Sequence, residues 1–209
     1  MAPCQGQTVP LGSRTFVQAC NALYAKAGAR GVTMATASGD SGSHGRTDPS
    51  CTNPITRIDF PSSSPWMLSV GATELDNGST GSNSAPICSA TLKCATGGTE
   101  VVASRKTLSF FASGGGFSNV APTPAWQAAV VAKYIANASA VPPAGDFNAT
   151  GRGSPDVAAL GHNYYIRLGG QVESVDGTSA ATPAVAGMLA NLNAWRLANG
   201  KPVLGFVNP

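Results

Sequence analysis

The chain has 209 residues, of which 43% are hydrophobic and 11% charged, and its formal net charge is +3. This size and composition can bury one substantial core, as a single domain or as one piece of a larger domain, and exclude a disordered segment. Neither sign of charge forms a run, so we expect no nucleic acid partner, and no stretch approaches the roughly 20 apolar residues of a membrane helix.

The sequence gives conflicting indications of the compartment. The opening segment has neither the basic nor the apolar region of a signal peptide. Five cysteines and three glycosylation sequons would nevertheless suit an oxidising, glycosylating compartment. Cys88 and Cys94 are close enough to form a small disulfide loop, and Cys20 is predicted to be a free buried thiol on a helix face. An odd number of cysteines leaves at least one thiol unpaired or paired outside this chain.

The first predicted elements are a helix and a strand. Residues 15–29 place apolar side chains at helical spacing and are followed by glycines that can end a helix. Residues 32–37 are a short apolar run with β-branched side chains, predicted to be a buried strand, and the turn sequence of residues 38–42 follows it. A helix that leads into a buried strand suggests a parallel α/β sheet.

The rest of the chain continues this alternation. Residues 66–70 are predicted to form another buried strand, residues 85–98 a loop excursion and residues 124–135 a helix. Three short strands are predicted after it, over residues 155–160, 164–168 and 171–175. The last element is a helix over residues 179–199 with an apolar stripe formed by Val185, Met188, Leu189, Leu192 and Trp195.

The opening of the last helix, GTSAATP, has features that favour catalysis. A serine in the first turn, here Ser179, lies where unpaired N–H groups and the helix dipole favour negative charge developing nearby. Gly177 allows a tight turn and the close approach of a substrate backbone. Pro183 lies one turn into the helix, a position that a helix built only for stability would avoid. The competing interpretation is that Thr178 or Ser179 is merely a helix N-cap.

The string GTSAATPAVAG is similar to the nucleophile motif shared by subtilisins and sedolisins, whose catalytic serine corresponds to Ser179. The sequence ASGDSG distinguishes the two families, because a subtilisin would have an asparagine where this chain has Asp40, as sedolisins do. In sedolisins this carboxyl stabilises the oxyanion, and a carboxyl can donate a hydrogen bond only while protonated, which suits acidic conditions. The competing interpretation is an aspartate that caps a turn. A true subtilisin is not favoured, because neither histidine lies in the required motif.

Further segments extend the resemblance along the chain, among them FPSSSP, SVGAT, SGGGFS, SPDVA and LGFVNP. It implies an α/β fold with a subtilisin-like parallel sheet flanked by helices, incomplete at its N-terminal side. Residues 1–209 are interpreted as a partial peptidase catalytic domain, with residues 1–14 an atypical opening segment and residues 15–209 family-like. The tripeptidyl-peptidase branch is the most similar.

The resemblance also assigns roles to other residues. Gly114, Gly115 and Gly116 are candidates for the substrate cleft together with Gly177 and Thr178, although a plain loop is equally compatible with the triple glycine. We predict that Asp156 is structural, bonding a nearby turn, and that His44 and His162 are loop residues. No metal ligand is predicted within the chain, since the family's Ca²⁺ ligands would lie beyond its end.

The expected catalytic base is missing from this sequence. Sedolisins activate the serine with a glutamate and an aspartate four positions later, on one helix face, and none of the ten acidic residues here has another four positions after it. The resemblance implies an acid-acting serine-carboxyl peptidase of peptides or proteins, either an endopeptidase or one that releases tripeptides from N-termini, in a secreted or acidic lysosome-like compartment. The alternative is an inactive truncated homologue that keeps the fold or a peptide-binding cleft.

Overall fold

The computed structural model describes residues 14–48, 50–76, 99–107, 109–139 and 141–207. Its α-helices are α1 (Arg14–Ala29), α2 (Ala128–Asn137) and α3 (Thr178–Ala198). Its strands are β1 (Ala35–Ala37), β2 (Leu68–Asp76), β3 (Thr99–Val102), β4 (Gly116–Pro122), β5 (Gly151–Ser154), β6 (Val157–Leu160), β7 (Tyr164–Leu168) and β8 (Gln171–Val175). Short 3-10 helices cover Gly42–His44 and Arg105–Thr107.

The central sheet is built around β2. Strands β1 and β6 pair with it in parallel, with Ala37 opposite Val70 and Val70 opposite Val157, whereas β3 pairs with its far end in antiparallel orientation. The predicted α/β fold is confirmed, but the sheet is mixed where an all-parallel one was expected. The difference is β3, which returns alongside the last four residues of β2.

Small side chains allow α3 to pack closely on this sheet. Val70 and Ala72 of β2 are buried with Ala181 of α3, and Val185 one turn later packs against the same cluster. Because the first turns of α3 lie directly on β2, the sheet fixes the start of this helix. Pro183 lies inside the helix at this level, and the Thr182 hydroxyl donates to the Thr178 carbonyl at 2.8 Å.

Several strands and helices begin or end at residues other than those predicted. The strand predicted over residues 32–37 is restricted to β1, and Val32 is 48% exposed. The strand predicted over residues 66–70 begins later and extends to Asp76, because residues 66–67 belong to a turn. Helix α2 begins four residues later than predicted, since residues 125–127 form a turn in which the Gln127 N–H donates to the Pro124 carbonyl at 3.0 Å. The predicted loop over residues 85–98 lies outside the described residues.

The apolar stripe predicted for α3 is buried only at its N-terminal end. Val185 faces the core, but Met188 is 64% exposed and Trp195 55% exposed within the described part of the chain. A stripe of this width normally covers another element. The described residues leave it open to solvent.

A buried ion pair holds the segment between β5 and β6. The side chains of Arg152 and Asp156 are both inaccessible to solvent and contact each other. Asp156 also accepts from the Ser69 N–H at 2.7 Å, and the Arg152 guanidinium donates to the Met67 carbonyl at 3.0 Å. Burial raises the pKa of Asp156 and lowers that of Arg152, and the ion pair opposes both shifts. These contacts confirm the structural role predicted for Asp156.

The prediction that Cys20 is a free thiol is wrong. Cys20 is fully buried on α1, and it is disulfide-bonded. A helix-face pattern shows that a cysteine is buried but contains no information on whether it forms a disulfide. Of the described cysteines, Cys51 is free and exposed. Among the described helices, none combines the length and apolar character that crossing a membrane requires.

Candidate active site

Asp40 lies in the turn that follows β1. The Ser38 N–H donates to the Val70 carbonyl at 2.9 Å, which attaches the end of β1 to β2. Gly39 then adopts φ +108°, a conformation that residues with a side chain rarely occupy. The turn is held on its other side by residues 112–114, because the Ala112 N–H donates to the Asp40 carbonyl at 3.2 Å and the Gly114 N–H to the Gly39 carbonyl at 2.6 Å.

Ser179 lies in the first turn of α3. Gly177 precedes the helix with φ +131° and directs the chain into it. Thr178, Ala180 and Ala181 are buried, whereas Ser179 is exposed. The helix therefore presents this one hydroxyl outward at the end where its backbone N–H groups have no helical acceptor.

The two motifs meet through Thr178. Its backbone N–H and its hydroxyl both donate to Oδ1 of Asp40, at 2.8 and 2.9 Å, and the hydroxyl oxygen accepts from the Gly39 N–H at 3.2 Å. A Cβ placed on Gly177 would lie 3.2 Å from Oδ2 of Asp40, so a side chain there would crowd the carboxyl and would also be strained by the φ of +131°. Residues 138 positions apart are thereby brought together, and the residue after Thr178 is Ser179.

The bonding of Asp40 distinguishes its two oxygens. Oδ1 already accepts two hydrogen bonds from Thr178. A proton on this carboxyl would therefore be accommodated on Oδ2, where it could be donated to a third group. The arrangement combines the exposed hydroxyl of Ser179 at a helix N-terminus with the Asp40 carboxyl, which is bonded to the preceding residue. This suits attack on a carbonyl and stabilisation of the resulting oxyanion.

The triple glycine passes next to the Asp40 turn. A Cβ on Gly114 would collide with the Ser38 carbonyl oxygen, and one on Gly115 would lie 3.2 Å from the Ser154 carbonyl oxygen. Gly114 and Gly115 line a pocket of about 340 Å³, and Gly115 and Gly116 line another of about 510 Å³. These glycines are therefore close-packed backbone at the rim of two cavities.

A second group of polar residues supports the start of α3 from the other side. His162 Nδ1 lies 2.8 Å from Oδ1 of Asp176, and the Asn163 N–H donates to the same oxygen at 2.7 Å. His162 lies in the loop between β6 and β7, as predicted, but its side chain is only 4% exposed. His44, by contrast, contacts its neighbour Ser43 at 3.2 Å. The signal that could have identified His162 is the Gly169–Gly170 hairpin turn, which places residues 162 and 176 at the same end of a β-ribbon.

Among the described residues, no group of three or more His, Cys, Asp or Glu is arranged to hold a metal ion.

Comparison with known proteins identifies similar sequences. The subtilase family model matches residues 4–202. The chain is 46% identical to physarolisin from Physarum polycephalum over 213 residues, which covers 99% of this chain and 36% of that protein. It is 39% identical to tripeptidyl-peptidase 1 from Rattus norvegicus over 198 residues, with 94% and 31% covered.

A solved structure is similar as well. It is a Pseudomonas sedolisin, described as a serine-carboxyl proteinase complexed with two molecules of pseudo-iodotyrostatin. The TM-score is 0.63 and the sequence identity 25%, and the match covers 92% of this chain and 45% of the sedolisin chain. The chain spans about a third of the length of the curated relatives it matches. On this evidence the chain belongs to the subtilase family and, within it, to the sedolisins, the serine-carboxyl peptidases.

Proposed function

We propose that this chain supplies the nucleophile and the oxyanion-stabilising carboxyl of a sedolisin-class peptidase that cleaves peptides or proteins at acid pH. The observation that carries the proposal is the bonding of Asp40 to Thr178, which brings a carboxyl beside Ser179 at the start of α3. Membership of the sedolisins supports the same reaction class.

In the proposed reaction the Ser179 hydroxyl attacks the substrate carbonyl carbon and the carbonyl oxygen becomes an oxyanion. Asp40, protonated on Oδ2, donates to this oxyanion, which is why the reaction requires acid. Thr178 is buried and bonded to Oδ1, so we assign it the orientation of Asp40. The resemblance assigns Gly177 and the glycines at 114–116 to the substrate cleft, and in this structure their Cα atoms pack against neighbouring parts of the chain.

The proton released by Ser179 requires an acceptor. The resemblance to sedolisins assigns this role to a glutamate with an aspartate four positions later, and the 209 residues contain no such pair. We therefore place the base on a polypeptide segment outside this sequence. The absence of this acidic pair from the sequence also fits a second candidate, a non-catalytic homologue that retains the fold or a peptide-binding cleft.

Activity of the natural polypeptide that contains this sequence separates the two candidates. The peptidase proposal predicts acid-dependent cleavage of a peptide library by the wild type, abolished by Ser179→Ala and retained by Ser50→Ala, a matched change at an exposed serine. Absence of cleavage at every pH, in protein shown to be folded, would support the non-catalytic homologue. The 209-residue chain alone is expected to show little or no turnover, because a serine without a base is a poor nucleophile.

Release of tripeptides is a finer proposal. It is supported by the similarity to proteins named tripeptidyl-peptidase 1 from several mammals, 37–39% identical to this chain. Peptides with a free and with an acetylated N-terminus distinguish the modes, since only an endopeptidase would cleave both at similar rates.

We further propose a secreted or acidic lysosome-like location, which the disulfide at Cys20 supports. Calcium binding stays a prediction from the resemblance. The described residues offer no cluster that fits the ion, so no step of the reaction is derived through it.

A further inference from the structure

We propose that His162 and Asp176 form a positioning pair that holds the Ser179 turn in place. The inference rests on the proposed role of Ser179 as nucleophile. The pair lies outside the ASGDSG and GTSAATPAVAG motifs, and it acts through the backbone that connects Asp176 to Ser179.

The pair closes a short loop onto the nucleophile segment. Residues 161–163 connect β6 to β7, and Asp176 is the first residue after β8. Its Oδ1 accepts from the Asn163 N–H at 2.7 Å and lies 2.8 Å from His162 Nδ1. A hydrogen bond from His162 to an ionised carboxylate requires the tautomer that has its proton on Nδ1, because such a carboxylate can only accept. The next residue, Gly177, donates its N–H to the Gly161 carbonyl at 2.8 Å.

The loop is itself fixed to the central sheet. The Gly161 N–H donates to the Thr73 carbonyl at 3.0 Å, and a Cβ on Gly161 would lie 2.8 Å from the Ala72 Cβ and 2.7 Å from the Gly177 carbonyl oxygen. Strand β2, which contains Thr73 and Ala72, also pairs with the strand that precedes Asp40. Both the turn that contains Asp40 and the loop over residues 161–163 are therefore anchored to β2.

The segment before Ser179 is consequently tied at both ends. Asp176 is held by the loop over residues 161–163, and Thr178 is held by Asp40. Ser179 is the next residue. With the His162 ring 4% exposed and Asp176 26% exposed, the hydrogen bond between them is largely shielded from competing water.

A merely structural role in the β7–β8 hairpin fits these contacts less well. The hairpin pairs through its own backbone register, from Tyr164 opposite Val175 to Leu168 opposite Gln171, and is closed by two glycines with positive φ. It therefore does not need a buried histidine at its base. The carboxylate of Asp176 instead contacts residues 162 and 163, and Asp176 itself begins the segment that leads to Ser179.

Hydrogen exchange of backbone amides in the full chain tests the pair without requiring catalysis. We compare His162→Ala with His162→Asn, whose side-chain amide can still donate to Asp176, and with His44→Ala as the matched histidine control. His162→Ala should accelerate exchange at Gly177 and Thr178 about tenfold or more relative to the rest of the chain, as expected for loss of a hydrogen bond to a charged group. His162→Asn should restore most of the protection, and His44→Ala should leave it unchanged.

Kinetics of the natural polypeptide form the second arm. His162→Ala should lower kcat about tenfold or more with KM nearly unchanged, because the hydroxyl is displaced while none of the residues proposed to contact substrate is changed. Uniform acceleration of exchange across the chain, unaltered exchange at Gly177 and Thr178, or no recovery in His162→Asn would each overturn the positioning role. If wild type cleaves nothing, the proposed function fails, while the exchange arm still decides the role of the pair.

Discussion

Thr178 donates two hydrogen bonds to one oxygen of Asp40, from its backbone N–H at 2.8 Å and from its hydroxyl at 2.9 Å. The same hydroxyl accepts from the Gly39 N–H, so the threonine is bonded to both residues of the Asp40 turn. The nucleophile helix and the carboxyl turn are thus a single hydrogen-bonded unit. Disturbing either partner should disturb both.

Replacement of Thr178 should therefore destabilise the fold. Thr178→Val keeps the shape but leaves the Gly39 N–H without its hydroxyl acceptor in a buried site. We expect the free energy of unfolding to fall by about 1–3 kcal/mol, measured by urea denaturation. Thr178→Ser retains the hydroxyl and serves as the control. An equal loss in both variants would contradict the importance of the hydrogen bonds.

Two substitutions of Asp40 should separate hydrogen-bond donation from charge. In the natural polypeptide, Asp40→Ala should lower kcat/KM by about 10²–10³, the usual cost of losing an oxyanion donor. Asp40→Asn can donate without an acidic proton and should lose less activity as the pH is raised. The check is the pH profile of kcat/KM. A profile for Asp40→Asn parallel to that of wild type would argue against donation by a protonated carboxyl.

Breaking the buried ion pair should be costly. Asp156→Ala leaves the Arg152 guanidinium buried without its carboxylate, and both side chains are inaccessible to solvent. We expect a loss of about 3–5 kcal/mol in the free energy of unfolding. The double variant Arg152→Met with Asp156→Ala should recover part of this loss, because no charge is then buried. Chemical denaturation of the three proteins measures both effects.

Asp48 should contribute to acid sensitivity. Its carboxylate accepts from the Asn53 N–H at 2.9 Å and the Thr52 N–H at 3.0 Å, and also from the Thr52 hydroxyl, and these hydrogen bonds lower its pKa below the ordinary 3.8. A lowered folded-state pKa gives stability that is present above 3.8 and is lost as pH falls through the folded value.

The difference in melting temperature between wild type and Asp48→Asn should therefore shrink on acidification below pH 3.8. Thr52→Val removes one of the three donors to Asp48, so its melting temperature should lie between those of wild type and Asp48→Asn above pH 3.8. Thermal melts on both sides of that pH measure the effect. A constant difference between the two proteins would show that Asp48 has no part in the acid response.

The exposed face of α3 should promote association. Met188, Leu192 and Trp195 are 64%, 44% and 55% exposed, and a contiguous apolar patch of this kind favours self-association. Met188→Lys combined with Leu192→Lys should increase the monomer fraction in sedimentation velocity. Leu168→Lys, at a 60% exposed position on the β7–β8 hairpin, is the matched control. Monomeric wild type would contradict this prediction.

How far the sequence predicts this structure depends on how local the determining contacts are. Strands β7 and β8 have the predicted bounds, because each is a compact run flanked by turn residues. Strand β5, with the sequence GRGS, has no apolar alternation, and its arginine is a core residue because of its contacts with Asp156, four residues later, and Met67, 85 residues earlier. No periodicity argument can detect such a strand.

The candidate site shows the same division. The motifs around Asp40 and Ser179 were readable because each combines several constrained residues in a short stretch. Their link through Thr178 and the contact of His162 with Asp176 depend on strand register, which fixes distances between segments that no single motif contains. A resemblance can nominate residues, but packing decides their neighbours.

Pro183 has a consequence for how the nucleophile moves. A proline has no N–H to donate to the carbonyl four residues earlier, here that of Ser179, so the first turn is attached to the rest of α3 by fewer backbone hydrogen bonds. It is attached instead to the turn at Asp40 and the loop at His162. The position of the serine therefore depends on these two loops as well as on its helix. Changes in either loop can therefore shift the Ser179 hydroxyl while the rest of α3 stays packed on the sheet.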